Sequence, residues 1–170
     1  LSLKVTELES KDSQGVYKHI DLDMRQYKKI RMFIHAESIV GKTPLPGEGV
    51  DEELDSRISA FIRIGSDIDE NYYQIEIPLK PTAYSRGISN NLSADEVWQV
   101  DDNEIDIPIE ILTKLKAKSI ANRNINGATF FDEDLNLIQE FDLNSSLPGE
   151  KKYKFSIKGN PSLGAIRTLV

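Results

Sequence analysis

The chain has 170 residues, 39% of them hydrophobic and 29% charged, which suits one folded domain and excludes a disordered composition. Its formal net charge of -7 repels phosphate backbones, so nucleic acid is not an expected partner. With no cysteine, disulfides, thiol catalysis and sulfur-ligated zinc are excluded.

Taken in chain order, the apolar residues mostly repeat every second position, the period of half-buried strands. Weak strands are expected at Leu3–Leu8 and Val16–Leu22. A stronger one runs over Lys28–Glu37, with Ile30, Met32, Ile34 and Ala36 on one face. The stretch from Ser38 to Asp55, with its prolines, glycines and acidic residues, reads as a long loop. Ile58, Ala60, Ile62 and Ile64 form the next strand, closed by the Gly65-Ser66-Asp67 turn. Tyr73, Ile75, Ile77 and Leu79 form another, in which Pro78 marks an edge or a strand terminus. A second loop spans Pro81 to Ala94.

One segment has the helical period. Pro108 suits a first helical turn, Glu110 the positive end of the dipole, and Lys114, Lys116 and Lys118 the negative end. The expectation is a helix over Pro108–Ala121, with Ile109, Leu112 and Leu115 facing the core. Strands follow at Ala128–Phe131, Leu137–Phe141, Tyr153–Ile157 and Ala165–Val170. Eight or nine short strands and one helix indicate a mostly β fold. The specific expectation is a single soluble β-sandwich over residues 1–170, of jelly-roll (galactose-binding-like) type with one α-helix.

Three groups of residues carry possible chemistry. The first lies opposite the apolar faces of the best strands: Arg31, Phe33, His35 and Glu37, then Arg57, Phe61 and Arg63, then Tyr72, Gln74 and Glu76. If those strands are neighbours, Phe33, His35, Phe61, Arg63, Tyr72 and Gln74 form a surface that stacks on sugar rings and binds their hydroxyls. Ordinary cross-strand pairing needs the same residue types, and that plainer reading is preferred. The second group, Asp67, Asp69, Glu70 and Asn71, has oxygen ligands suited to calcium but lacks the spacing of a calcium loop. Asp51 to Asp55 and Asp101 to Glu104 raise the same question, and acidic loops are usually solvated turns. The third group is catalytic. Only His19 and His35 are present, no nucleophile elbow appears, and an enzyme is not expected. Trp98 reads as a core or subdomain plug rather than a binding platform. No cofactor is expected beyond the calcium option.

Longer strings carry a resemblance. They are Asp23-Met-Arg-Gln-Tyr-Lys-Lys-Ile-Arg-Met-Phe-Ile-His-Ala-Glu37, Ala60-Phe-Ile-Arg-Ile-Gly-Ser-Asp67 and Asn71-Tyr-Tyr-Gln-Ile-Glu-Ile-Pro-Leu79. Ile105-Asp-Ile-Pro-Ile-Glu-Ile-Leu-Thr-Lys-Leu-Lys116 and Phe155-Ser-Ile-Lys-Gly-Asn-Pro-Ser-Leu-Gly-Ala-Ile-Arg-Thr168 continue it. The chain resembles a segment of the SprA/Sov family, giant outer-membrane proteins of Bacteroidetes in gliding motility and type IX secretion. One departure is that Gln99-Val100 follows Trp98 where the family pattern leads one to expect Pro-Glu.

The resemblance implies a soluble part of a larger β-barrel translocon, associated with the outer membrane in the cell envelope but not itself membrane-spanning. Both chain ends then read as cuts within a longer protein. The implied role is a non-enzymatic structural or interaction domain, with secretion-machinery or cargo proteins as partners. The alternative is a carbohydrate-binding module with a glycan partner on the aromatic sheet face.

Overall fold

The computed structural model describes residues 12–36, 58–80, 93–94, 98–125, 138–147 and 153–170, with side chains up to residue 122 in the longest of these segments. The expected strands at Leu3–Leu8 and Ala128–Phe131, the first long loop and nearly all of the second lie outside them, as do Glu37 and Arg57.

Eight strands fall within the described residues. They are β1 (Lys18–Leu22), β2 (Lys29–Phe33), β3 (Ser59–Gly65), β4 (Tyr72–Pro78), β5 (Glu104–Pro108), β6 (Gln139–Phe141), β7 (Lys154–Lys158) and β8 (Ile166–Leu169). A short helix α1 (Val100–Asn103) leads into β5, and α2 (Glu110–Ile125) follows it. Six strands form one antiparallel sheet in the order β1-β8-β3-β4-β7-β6, while β2 and β5 pair as a separate two-stranded ribbon. The mostly β class expected from the sequence is therefore present.

Alternation explains where the core sits. Ile62 and Ile64 of β3, Tyr73, Ile75 and Ile77 of β4, and Phe155 and Ile157 of β7 are buried. They join Ile105 and Ile107 of β5 and Ile111, Leu112 and Leu115 of α2 in one cluster. One face of the large sheet is thus covered by the ribbon and the helix. Each fully buried aliphatic side chain contributes about 1.5–3 kcal/mol relative to exposure.

Several boundaries differ from the sequence expectation for identifiable reasons. Pro108 ends β5 opposite Lys29 rather than starting a helix, and the helix begins at Glu110. Glu104, Asp106 and Pro108 alternate with Ile105 and Ile107, a two-residue period masked by the helical signals just after it. The helix continues past Ala121 to Ile125. Strand β2 stops at Phe33, before the expected residues 34–36, where its partner β5 runs out at Glu104. Strand β4 is central, between β3 and β7, so Pro78 marks its terminus and not a sheet edge.

Candidate functional site

The proposed aromatic and polar face divides between two sheets. Phe61, Arg63, Tyr72 and Gln74 do come together, because Arg63 pairs with Gln74 and Phe61 with Glu76 across the β3–β4 ladder. Phe33 and His35 do not join them, since β2 belongs to the ribbon. Which strands share a sheet is a tertiary outcome that alternation within each strand does not encode.

Within the β3–β4 cluster, Arg63 is satisfied by its neighbours. Its Nε and Nη2 donate to Gln74 Oε1 at 3.1 and 2.8 Å, and its Nη1 donates to the Ile68 carbonyl at 2.7 Å. The guanidinium lies 4.1 Å from the Tyr72 ring centroid and 5.7 Å from that of Phe61. Tyr72 is only 2% exposed, so it offers no open ring face on which a pyranose could stack. This arrangement braces the hairpin through charge-assisted hydrogen bonds and cation–π contact.

At the ribbon, the outward residues form a ladder of charges. Lys29 Nζ reaches Asp106 Oδ2 at 2.8 Å, while Arg31 pairs closely with Glu104 and lies 3.6 Å from Asp106. These are the diagonal and direct neighbours that antiparallel register creates. Arg31 also lies 5.1 Å from the Phe33 ring centroid. Just beyond β2, the His35 and Trp98 rings approach to 5.2 Å. His35 Nε2 is shielded and has no hydrogen-bond partner among the described residues.

Of the two expected placements for Trp98, core or subdomain plug, the core is not the one observed: the residue is 46% exposed and its ring lies against that of His35. The next residue, Gln99, has φ 48°, in the left-handed region. A proline ring, held near −65°, cannot adopt that conformation, so this turn excludes the Pro-Glu sequence suggested by the resemblance.

The acidic turn after β3 is organised around Asp67. Its Oδ1 accepts from the backbone N–H groups of Asp69, Glu70 and Asn71 at 3.2, 2.5 and 2.9 Å, and its Oδ2 from Asn71 Nδ2 at 3.1 Å. Burial pushes the Asp67 carboxyl up, but hydrogen bonds from Glu70, Asn71 and Asp69 outweigh it and hold its pKa below the usual carboxylate value. Lys158 Nζ donates to the Asp69 carbonyl at 2.6 Å and lies 3.3 Å from Glu70 Oε1, placing a cation on this loop. Asp102 instead pairs with Lys80 at 3.2 Å, and Glu104 with Arg31. Among the described residues no group of three or more His, Cys, Asp or Glu gathers for a metal. The Asp51 to Asp55 cluster lies outside them.

The sequence reading missed the polar groups that fasten the layers. Asn103 Oδ1 accepts from the Lys80 N–H at 2.7 Å and its Nδ2 donates to the Lys80 carbonyl at 2.8 Å, imitating a strand partner. Asn144 does the same to Tyr153, at 2.8 and 2.9 Å. The Tyr153 hydroxyl donates to the Glu104 carbonyl at 3.2 Å and accepts from the Asp106 N–H at 3.4 Å, joining sheet to ribbon. The only sequence signal was position: Asn103 and Tyr153 each immediately precede a strand.

An open depression of about 410 Å³ lies beside β1, lined by His19, Ile20, Asp21 and Arg167. No helix among the described residues is long and apolar enough to cross a membrane. A family model named SprA_N, described as motility related/secretion protein, matches residues 1–170. No curated protein matches the chain.

Proposed function

The chain belongs to the SprA_N family, described as motility related/secretion protein, and we propose that it serves an outer-membrane secretion and gliding-motility translocon as a non-enzymatic structural and interaction domain. The carrying observation is that three of the strongest candidate side chains, Arg63, Asp67 and Arg31, are engaged by their own fold. Arg63 holds Gln74 and Ile68, Asp67 caps its own turn, and Arg31 pairs with Glu104. In this reading the chain resides in the cell envelope, performs no reaction, requires no cofactor and acts by attachment to secretion-machinery or cargo proteins. The jelly-roll arrangement belongs to the same proposal. The six-stranded sheet under a second layer of ribbon and helix supports its two-layer character only.

Affinity capture from solubilised outer membranes tests this function. The folded chain should retain secretion-machinery or cargo proteins that a heat-unfolded control does not. Silence there, together with selective binding on a glycan array, would overturn it.

The carbohydrate-binding alternative has one favourable observation: Phe33 and Trp98 are 51% and 46% exposed. It differs from the sequence expectation in resting on the ribbon end and not on Tyr72. Glycan binding that disappears in Phe33→Ala and persists in Phe61→Ala would support it. Calcium at Asp67 and Asp69 would have to compete with four N–H donors and Lys158. The proposal therefore expects the same melting temperature in calcium and in chelator, and a calcium-dependent rise would contradict it.

A further inference from the structure

We draw no further inference here: the strongest candidate, the outer edge of strand β1 with the depression of His19, Ile20, Asp21 and Arg167 beside it, carries nothing, because the strand is short, begins with Lys18 and is bulged between His19 and Leu22 in the manner of a blunted edge, and nothing in the described residues shows what covers it.

Discussion

Arg63 illustrates how one side chain can look like a binding residue and act as a brace. Its planar fork fits Gln74 and the Ile68 carbonyl while its face covers Tyr72. Replacing it with alanine would leave Gln74 and the Ile68 carbonyl without these donors and should cost about 2 kcal/mol in urea unfolding. Arg63→Lys should recover only part of that loss, since an ammonium cannot reproduce the fork. Gly65 is constrained more simply. A Cβ there would stand 2.0 Å from the Asn71 carbonyl oxygen and 2.7 Å from Tyr72 Cα. Gly65→Ala should therefore destabilise by roughly 1–3 kcal/mol, through overpacking against backbone that cannot rotate away.

Asp67 adds a pH dependence at the same scale. Its folded pKa lies below the ordinary value of 3.8, so its hydrogen bonds stabilise the fold above that pH. The contribution is lost as pH falls through the lower folded value. Asp67→Asn should be less stable than the parent at pH 7, with the difference shrinking below about pH 4 as the parent carboxyl protonates. A gap that stays constant down to pH 2 would refute the cap.

At the scale of elements, the ribbon is fastened to the large sheet through Tyr153, and β5 to the end of β4 through Asn103. Tyr153→Phe keeps the ring but removes both hydrogen bonds. It should speed amide exchange at Asp106 while leaving exchange at Ile75, in the centre of the large sheet, nearly unchanged. Equal acceleration at both would show that ribbon and sheet open as one unit.

These elements also show what a linear reading can reach. Strands β3, β4 and β7 were legible because Ile62 and Ile64, Tyr73 to Ile77, and Phe155 and Ile157 alternate cleanly toward a single core. Strand β5 was hidden because its own alternation runs directly into Glu110 and the lysines of α2, whose helical signals are stronger. The candidate face was half legible. Residues on adjacent β3 and β4 could be matched by alternation, whereas the assignment of β2 to another sheet depends on which partner it meets in space. Asn103 and Asn144 were illegible as clamps, since their value lies in backbone groups 23 and 9 residues away.

For the whole molecule, the described structure joins a six-stranded sheet, a ribbon and a helix around one core. Its prominent polar clusters face their own neighbours, which fits a domain whose contribution comes from what it is attached to. Family membership supports a role related to motility or secretion.

The most direct measurement is cargo release to the medium by cells in which the gene encoding this chain carries either a deletion of residues 1–170 or a single change within them. The proposal expects the deletion to stop release, while Arg63→Lys, Gln74→Ala and Asp67→Asn proteins, verified as present at normal levels, continue to secrete. A stably present point variant that stops release as completely as the deletion would contradict the structural assignment and restore the cluster as a working site.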